Sequence, residues 1–489
     1  MSKRPNIVIF NPDEWRGDVL GHVGNPAAVT PNLDALVEKD AVSFSRAFCQ
    51  NPVCTPSRCS FMTGWYPHVR GHRTMYYMLQ PDEPVLLKTL KEEGYFVWWG
   101  GKNDLVPGQN PFDPYCTVKY KHPKPFRQSR RSRQEEWRGA PDSDTYYSFF
   151  VGKIESGDRE SPLDADWSNI YGALDFIKDA PKHQPFCIFL ALGYPHPPYA
   201  VEEPWFSMID RRKLPPRIPT PKYWTGKPSM LKGIWERQNM RTWNEKRWTE
   251  LRATYYGMCA RVDHQFGMIV EALKNAGLYD DTAIFFFSDH GDFAGDYGLV
   301  EKNQNTFEDC LTRVPLIIKP PSWIKVKPRV CDALVELIDF PATVEAMTGI
   351  HPRHTHFGRS LLPLIEGTRE KHRDAVFSEG GRLHGELYAM ELESTSSQNR
   401  EGLYWPRVGL QRSEGPEHTK AVMCRTHDFK YVQRLYEQDE LYDLRRDPQE
   451  LHNLAGDPGF ASVVNSLKDR MLTWYLETCD TVPHKTDAR

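Results

Sequence analysis

Cys54-Thr55-Pro56-Ser57-Arg58 places a thiol, a proline and an arginine within one helical turn of each other. Proline is favoured at the first position of a helix, where its missing N–H costs nothing. The spacing therefore predicts Cys54 just before a helix N-terminus that runs on through Ser60, Phe61 and Met62. That end of a helix gathers free N–H groups and partial positive charge, which suits an anion. Arg58 adds a fixed cationic fork matched to a tetrahedral oxyanion. Asp13, Glu14, Asp289 and His290 form a candidate metal set, whose hard oxygens favour calcium, magnesium or manganese. Lys102, His196 and Lys302 add cationic and proton-donating groups. A lone cysteine is usually a packing residue, and Ser288-Asp289-His290-Gly291 alone could be a capped turn. The two together argue for a site.

The elements that must carry these groups are legible as apolar runs. Asn6–Phe10 leads to Asp13 and Glu14, Tyr95–Trp99 to Lys102, Phe186–Leu192 to His196, and Ala283–Phe287 to Asp289 and His290. Continuous runs of this kind fit strands buried on both faces of a mainly parallel sheet. Open α/β sheets bind ligands beyond the carboxyl ends of their strands, so these polar followers trace an active-site rim. The fold class expected is α/β, a large mainly parallel sheet flanked by helices. Residues 1–370 form the catalytic domain, and 371–489 a smaller C-terminal α+β subdomain with strands such as Lys430-Tyr431-Val432 and a last helix near Val463–Tyr475. Helices are predicted over Glu83–Gly94 and Trp248–Asn275. In the second, Met258, Val262, Phe266, Ile269, Val270 and Leu273 make a core stripe, while Asp263 and His264 read as exposed or structural. Pro123–Asp144, with Arg127, Arg130, Arg131, Arg133 and Arg138, reads as a solvated loop. Pro204–Trp248 reads as a long irregular segment that walls or lids the site.

Cys54-Thr55-Pro56-Ser57-Arg58, continued by Cys59-Ser60-Phe61-Met62-Thr63-Gly64-Trp65-Tyr66-Pro67, resembles the signature of the type I sulfatases of the alkaline phosphatase superfamily. Thr30-Pro31-Asn32-Leu33-Asp34, Ser288–Asp292 and Glu440-Leu441-Tyr442-Asp443-Leu444 are similar to further landmarks of that family, so the resemblance spans almost the whole chain. It implies hydrolysis of sulfate esters, of a sulfated sugar or an aryl sulfate. Phosphonate monoester or phosphodiester hydrolysis on the same fold is the alternative. It implies that Cys54 is oxidised to formylglycine, the nucleophile, by a formylglycine-generating maturation enzyme. It implies one divalent metal, calcium before manganese or magnesium, on Asp13, Asp289, His290 and an oxygen of residue 54. Glu14 stands where the family usually has Asp, and His290 where many members have Asn. Arg58, Lys102 and Lys302 carry over as anion-binding cations and His196, in Pro195-His196-Pro197-Pro198, as the leaving-group acid. Asp104 replaces the histidine of the family's Gly-Lys-x-His and could serve as a base, contact substrate or cap its loop. Arg73, Tyr76, Asn103, Asp104, Arg382 and His384 are the candidate selectors of the leaving group.

Composition sets the bounds. A chain of 489 residues buries a large core and commonly splits into domains. A formal net charge of −3 gives no general case for nucleic acid or membrane binding. No run of about 18 apolar residues is present, and the start lacks a signal-like apolar stretch. The ten cysteines include no C-x-x-C pair, which together predicts reduced thiols and a cytoplasmic location. A homo-oligomer is compatible with a sheet-rich enzyme of this size.

Overall fold

A computed structural model of the chain describes residues 4–123, 134–386, 400–411, 415–481 and 483. The four apolar runs become strands Asn6–Asp13, Phe96–Gly101, Phe186–Pro195 and Thr282–Phe287. They lie side by side in an eight-stranded sheet, and pair in parallel. Leu316–Lys319 runs antiparallel beside Thr282–Phe287, so the sheet is mixed but mainly parallel. All four central strands thus point their carboxyl ends the same way, and that common edge is where the chemistry-bearing residues gather.

Side-chain alternation along these strands splits the core into two layers. Val8, Phe10, Ile188, Leu190, Ile284 and Phe286 face one side, packed against helices Pro31–Lys39, Ala165–Lys178 and Glu245–Asn275. Ile7, Ile9, Val97, Phe189, Phe285 and Phe287 face the other, against helices Cys54–Thr63, Leu86–Glu92 and Asp339–Thr348. Both faces are covered, which is why the runs lack polar alternation. A four-stranded antiparallel sheet, Val376–Gly380, Ala421–Arg425, Phe429–Arg434 and Glu440–Asp443, follows near the C-terminus. The helix Ala461–Thr478 covers it, with Trp474 stacked 4.4 Å from Phe377.

Several boundaries differ from the sequence expectation. The helix predicted from Trp248 starts at Glu245, because the Asn244 side chain accepts a hydrogen bond from the Arg247 N–H. The segment expected to be irregular between Pro204 and Trp248 holds a helix at Ser229–Gln238, whose Met230, Leu231 and Ile234 pack on Phe293, Tyr297 and Leu410. Tertiary packing overrides its Gly233 and the prolines around it. Arg138 is not solvated. It is buried, donates from Nε to the Tyr146 carbonyl at 2.9 Å and lies 3.7 Å over the Tyr146 ring. Arg127, Arg130, Arg131 and Arg133 lie outside the described residues.

Asp263 is structural, in a specific way. Its carboxylate accepts from the Asn32 N–H at 3.1 Å, the Asn32 side-chain amide at 2.8 Å and the Leu33 N–H at 2.9 Å. It thereby caps the helix Pro31–Lys39 from a distant part of the chain, where Thr30 provides no side-chain cap. Asp263→Ala leaves those N–H groups without an acceptor. We expect a loss of about 1–3 kcal/mol in urea unfolding with kcat unchanged. Burial also pushes the Asp263 carboxyl up to about 6. The folded chain then holds this proton more tightly than the unfolded one, so its contribution is full below about pH 4 and declines as pH rises through 6. Asp263→Asn should flatten that part of the stability profile.

Candidate active site

Four parallel strands deliver the site. Asp13 closes the first strand, Lys102 follows the second, His196 the third, and Ser288-Asp289-His290 the fourth. Two glycines permit the close approach of these edges. Gly101 has φ of +94°, and a Cβ there would lie 1.9 Å from the Ala191 carbonyl oxygen. A Cβ on Gly291 would lie 2.0 Å from the Cys310 carbonyl oxygen. Opposite the strand ends, helix Cys54–Thr63 begins with Cys54 itself. The thiol was expected just outside the helix with Pro56 at its first position. Val53 is the cap instead, and Pro56 lies within the first turn. The consequence for charge is the same, since the N–H groups of that turn face the site.

Asp13, Cys54, Asp289 and His290 converge, with one ligand atom of each inside a 4.8 Å span. Cys54 Sγ lies 3.5 Å from Asp13 Oδ1 and 3.2 Å from His290 Nε2. His290 Nδ1 faces the Gly291 carbonyl at 3.0 Å. A carbonyl only accepts, so Nδ1 carries the proton and Nε2 turns its lone pair to the cluster. Two buried carboxylates and an oriented imidazole make a donor set that fits a divalent cation. Burial first, and Asp13 second, push the Cys54 thiol well above its ordinary value. An unmodified thiol here stays protonated and is a poor nucleophile.

Cations surround the cluster. Arg58 grips Asp289 through Nε at 2.8 Å and Nη2 at 2.7 Å. Its buried Nη1 finds no acceptor among the described residues, which leaves a donor for a ligand oxygen. Lys102 Nζ pairs with Asp13 and with Asp104 Oδ2, the latter at 2.8 Å. Against the burial that raises it, Lys102 and Arg58 hold the Asp104 carboxyl below the usual range. Asp104 sits at φ of +37° and is engaged by Lys102 rather than free.

Glu14, expected with the metal set, is grouped with a neighbouring one. Its backbone turns at φ of +70°, and its carboxylate reaches Lys302 Nζ at 3.1 Å. Lys302 Nζ also bonds Glu301 Oε1 at 2.6 Å and His196 Nε2 at 2.9 Å. His196 Nδ1 faces the Pro197 carbonyl at 2.6 Å, so Nε2 is the atom left to exchange a proton. All of these side chains are buried.

Several participants were not singled out in the sequence. Glu301 takes φ of +64°, uncommon for a residue with a Cβ. Arg407 holds it from far along the chain: Nε reaches the Lys302 carbonyl at 2.5 Å and Glu301 Oε2 at 3.2 Å. Tyr199 donates to Asp292 at 2.7 Å and accepts from the Glu301 N–H at 2.9 Å. Only the proximity of Glu301 to Lys302 was a usable signal; Arg407 has none nearby. Among the expected selectors, Asn103 is bound to Val106 in its own loop, and Arg382 to the carbonyls of Glu386 and Gln411. Arg73 pairs with Glu386, His384 is exposed beside Tyr436, and Tyr76 is half-buried.

The chain has known relatives. The sulfatase family matches residues 5–350, and the C-terminal region of N-sulphoglucosamine sulphohydrolase matches residues 381–476. The chain belongs to the sulfatase family. It is 26% identical to a multifunctional alkaline phosphatase superfamily protein, PehA, of Trinickia caryophylli, over 98% of this chain and 97% of that one. It is 25% identical to an ulvan-active sulfatase of Formosa agariphila, over 96% of this chain and 80% of that one. The crystal structure of a phosphonate monoester hydrolase of Agrobacterium radiobacter superposes with a TM-score of 0.73 at 25% identity, covering 97% and 96%.

Proposed function

We infer that the protein hydrolyses sulfate esters, with residue 54 as nucleophile after oxidation of Cys54 to formylglycine. The observation that carries this reading is the buried convergence of Asp13, Cys54, Asp289 and His290 at the start of a helix, ringed by Arg58, Lys102 and Lys302. Asp13, Asp289, His290 and an oxygen of the modified residue 54 would hold the metal. Calcium is the first choice and manganese or magnesium the alternatives. Such a cation supplies charge that lowers the pKa of an oxygen nucleophile and draws the ester's oxygens. A hydrated aldehyde supplies one hydroxyl to attack sulfur and a second whose deprotonation expels sulfate. A maturation enzyme is required for that oxidation.

The chain's own residues do the rest. Arg58 Nη1 offers a donor, and Lys102 and Lys302 positive charge, to the equatorial oxygens of the reacting group. His196, pinned through Nδ1, gives its Nε2 proton to the departing alcohol and has Lys302 Nζ beside it to resupply one. Arg407 is a positioning residue, acting through Glu301 on Lys302. Arg407→Gln should lower kcat tenfold to a hundredfold with a smaller change in KM, and Arg407→Lys should recover part of it. Removal of metal by a chelator should abolish turnover and lower the melting temperature, and metal analysis with add-back of calcium or manganese identifies the ion.

The saccharide reading of the substrate is supported by the ulvan-active relative. The phosphonate reading is supported by the phosphonate monoester hydrolase likeness, while His290 is compatible with either. Steady-state kinetics on matched aryl sulfate and aryl phosphonate esters decide between them. A higher kcat/KM on the sulfate is expected, and the reverse order would move the protein to the second reading. The division near residue 370 is supported by the two matched segments, which end and begin on either side of it. None of the ten cysteines is joined in a disulfide, which fits a reducing compartment. No helix among the described residues is long and apolar enough to cross a membrane.

A further inference from the structure

Lys102 and Asp104 stand at the rim of an otherwise buried site. Their side chains keep 27% and 23% exposure, whereas those of Asp13, Arg58 and Lys302 keep 1% or less. The Lys102 ammonium bridges two carboxylates. It pairs with buried Asp13 and with Asp104 Oδ2, the latter at 2.8 Å. Its Nζ also lies 3.9 Å from Cys54 Sγ, so this charge reaches into the quartet of Asp13, Cys54, Asp289 and His290.

The backbone around the pair is pinned on both sides. The Lys102 N–H donates to the Ala191 carbonyl at 2.8 Å, and the Lys102 carbonyl accepts from the Trp99 indole at 3.1 Å. The Asn103 side chain accepts the Val106 N–H at 3.1 Å and closes the turn that contains Asp104. Asp104 takes φ of +37°, in a region that aspartate and asparagine tolerate better than most residues. A partly exposed ion pair contributes little to stability, so the fold gains little from this arrangement.

The site gains more. Asp13 belongs to the donor set that fits a divalent cation. A cation and an ammonium on one carboxylate repel each other across a few ångström, and strongly so in a site shielded from water. The flexible four-carbon stem of lysine lets the ammonium give up one carboxylate and keep the other. Asp104 is the one other carboxylate paired with Lys102 among the described residues.

We propose that Asp104 is a positioning residue that holds the Lys102 ammonium off Asp13. It thereby frees that carboxylate for the metal and keeps the lysine's charge at the rim, available to the ester's anionic group. Acting through Lys102, Asp104 sets the affinity of the site for its metal. This role rests on the metal reading of the quartet and deepens it, and it makes Asp104 neither a base nor a substrate contact.

Calorimetric titration of the full-length protein with calcium, and with manganese, tests this after a chelator has stripped it. Asp104→Asn should weaken binding at least tenfold, because Lys102 is then left with Asp13 alone. Lys102→Met should act in the opposite sense and tighten binding at least threefold, an effect that a merely structural role would not produce. A double-mutant cycle separates the effect carried by the lysine from direct attraction between Asp104 and the cation. In the Lys102→Met background, adding Asp104→Asn should change affinity less than threefold. Asparagine tolerates the positive φ as aspartate does, and thermal unfolding confirms that each variant is folded. A loss below tenfold for Asp104→Asn, a smaller gain or a loss for Lys102→Met, or a change above threefold in that background overturns the role of Asp104 alone. Failure of the native protein to bind either metal overturns the metal assignment of the quartet, and this role with it.

Discussion

Cys54→Ala should abolish turnover, lowering kcat roughly 10⁴- to 10⁶-fold, the scale on which loss of a nucleophile acts. The expectation follows from position and not from thiol reactivity. Residue 54 is fully buried at a helix start, with Asp13, His290 and Lys102 within 3.9 Å of its sulfur. The thiol itself is held protonated by burial and by Asp13, so the group that reacts must be an oxidised one. Loss of one buried sulfur should cost only about 1 kcal/mol, because Cys54 packs with just Val53 and Met75 in its apolar cluster. The fold should therefore persist. A peptide mass for residue 54 in the active protein, alongside the kinetics, makes the test complete. Turnover that persists in the alanine variant would remove residue 54 from the nucleophile's role, and an unmodified thiol in a fully active sample would remove formylglycine from it.

Lys302→Met should be the second most damaging change, and it should damage both stability and rate. Lys302 Nζ is completely buried and compensates Glu14 and Glu301, at 3.1 and 2.6 Å. Removing one partner of a buried ion pair costs about 3–5 kcal/mol, since the other charge stays behind. Arg407 still covers Glu301, so the larger share of the deficit falls on Glu14. Burial already pushes the Glu14 carboxyl well above its ordinary value, with Lys302 opposing that shift. Without the lysine, Glu14 takes up a proton. Its folded-state pKa then lies further above its unfolded one, so the variant loses more stability than the native protein as pH rises. In the reaction, the missing charge beside His196 should lower kcat about 10²- to 10³-fold. Unfolding curves at two pH values and steady-state kinetics check the two halves separately. A variant as stable at high pH as at low pH would show that Glu14 does not depend on Lys302.

The four strands of the site were readable because each is an apolar run closed by polar residues, a local signal that needs no knowledge of the partner strands. Asp13 and Asp289-His290 were readable as metal candidates for the same reason, since each closes or follows such an element, while residue 54 joined them through the family resemblance. Adjacent carboxylates look alike in sequence, so Glu14 was read together with Asp13. The positive φ at Glu14 sends its side chain to Lys302 while Asp13 faces Cys54. Asn103 and Arg382 looked like free polar groups, yet loop backbone groups claim them. The helix Ser229–Gln238 was hidden by proline and glycine around a short apolar stripe, and is held by Tyr297 and Leu410.

By itself, then, the sequence determined the mainly parallel sheet and the order in which the chemical groups meet its edge, and its family resemblance proposed the nucleophile and the metal donors. Burial of continuous apolar runs leaves those few choices. Only the tertiary structure decided how the charges are distributed among them. Arg407 comes to Glu301 across 106 positions. Ion pairs in a dry interior depend on distances of a few ångström, and no local pattern in a chain records which distant residues will share them.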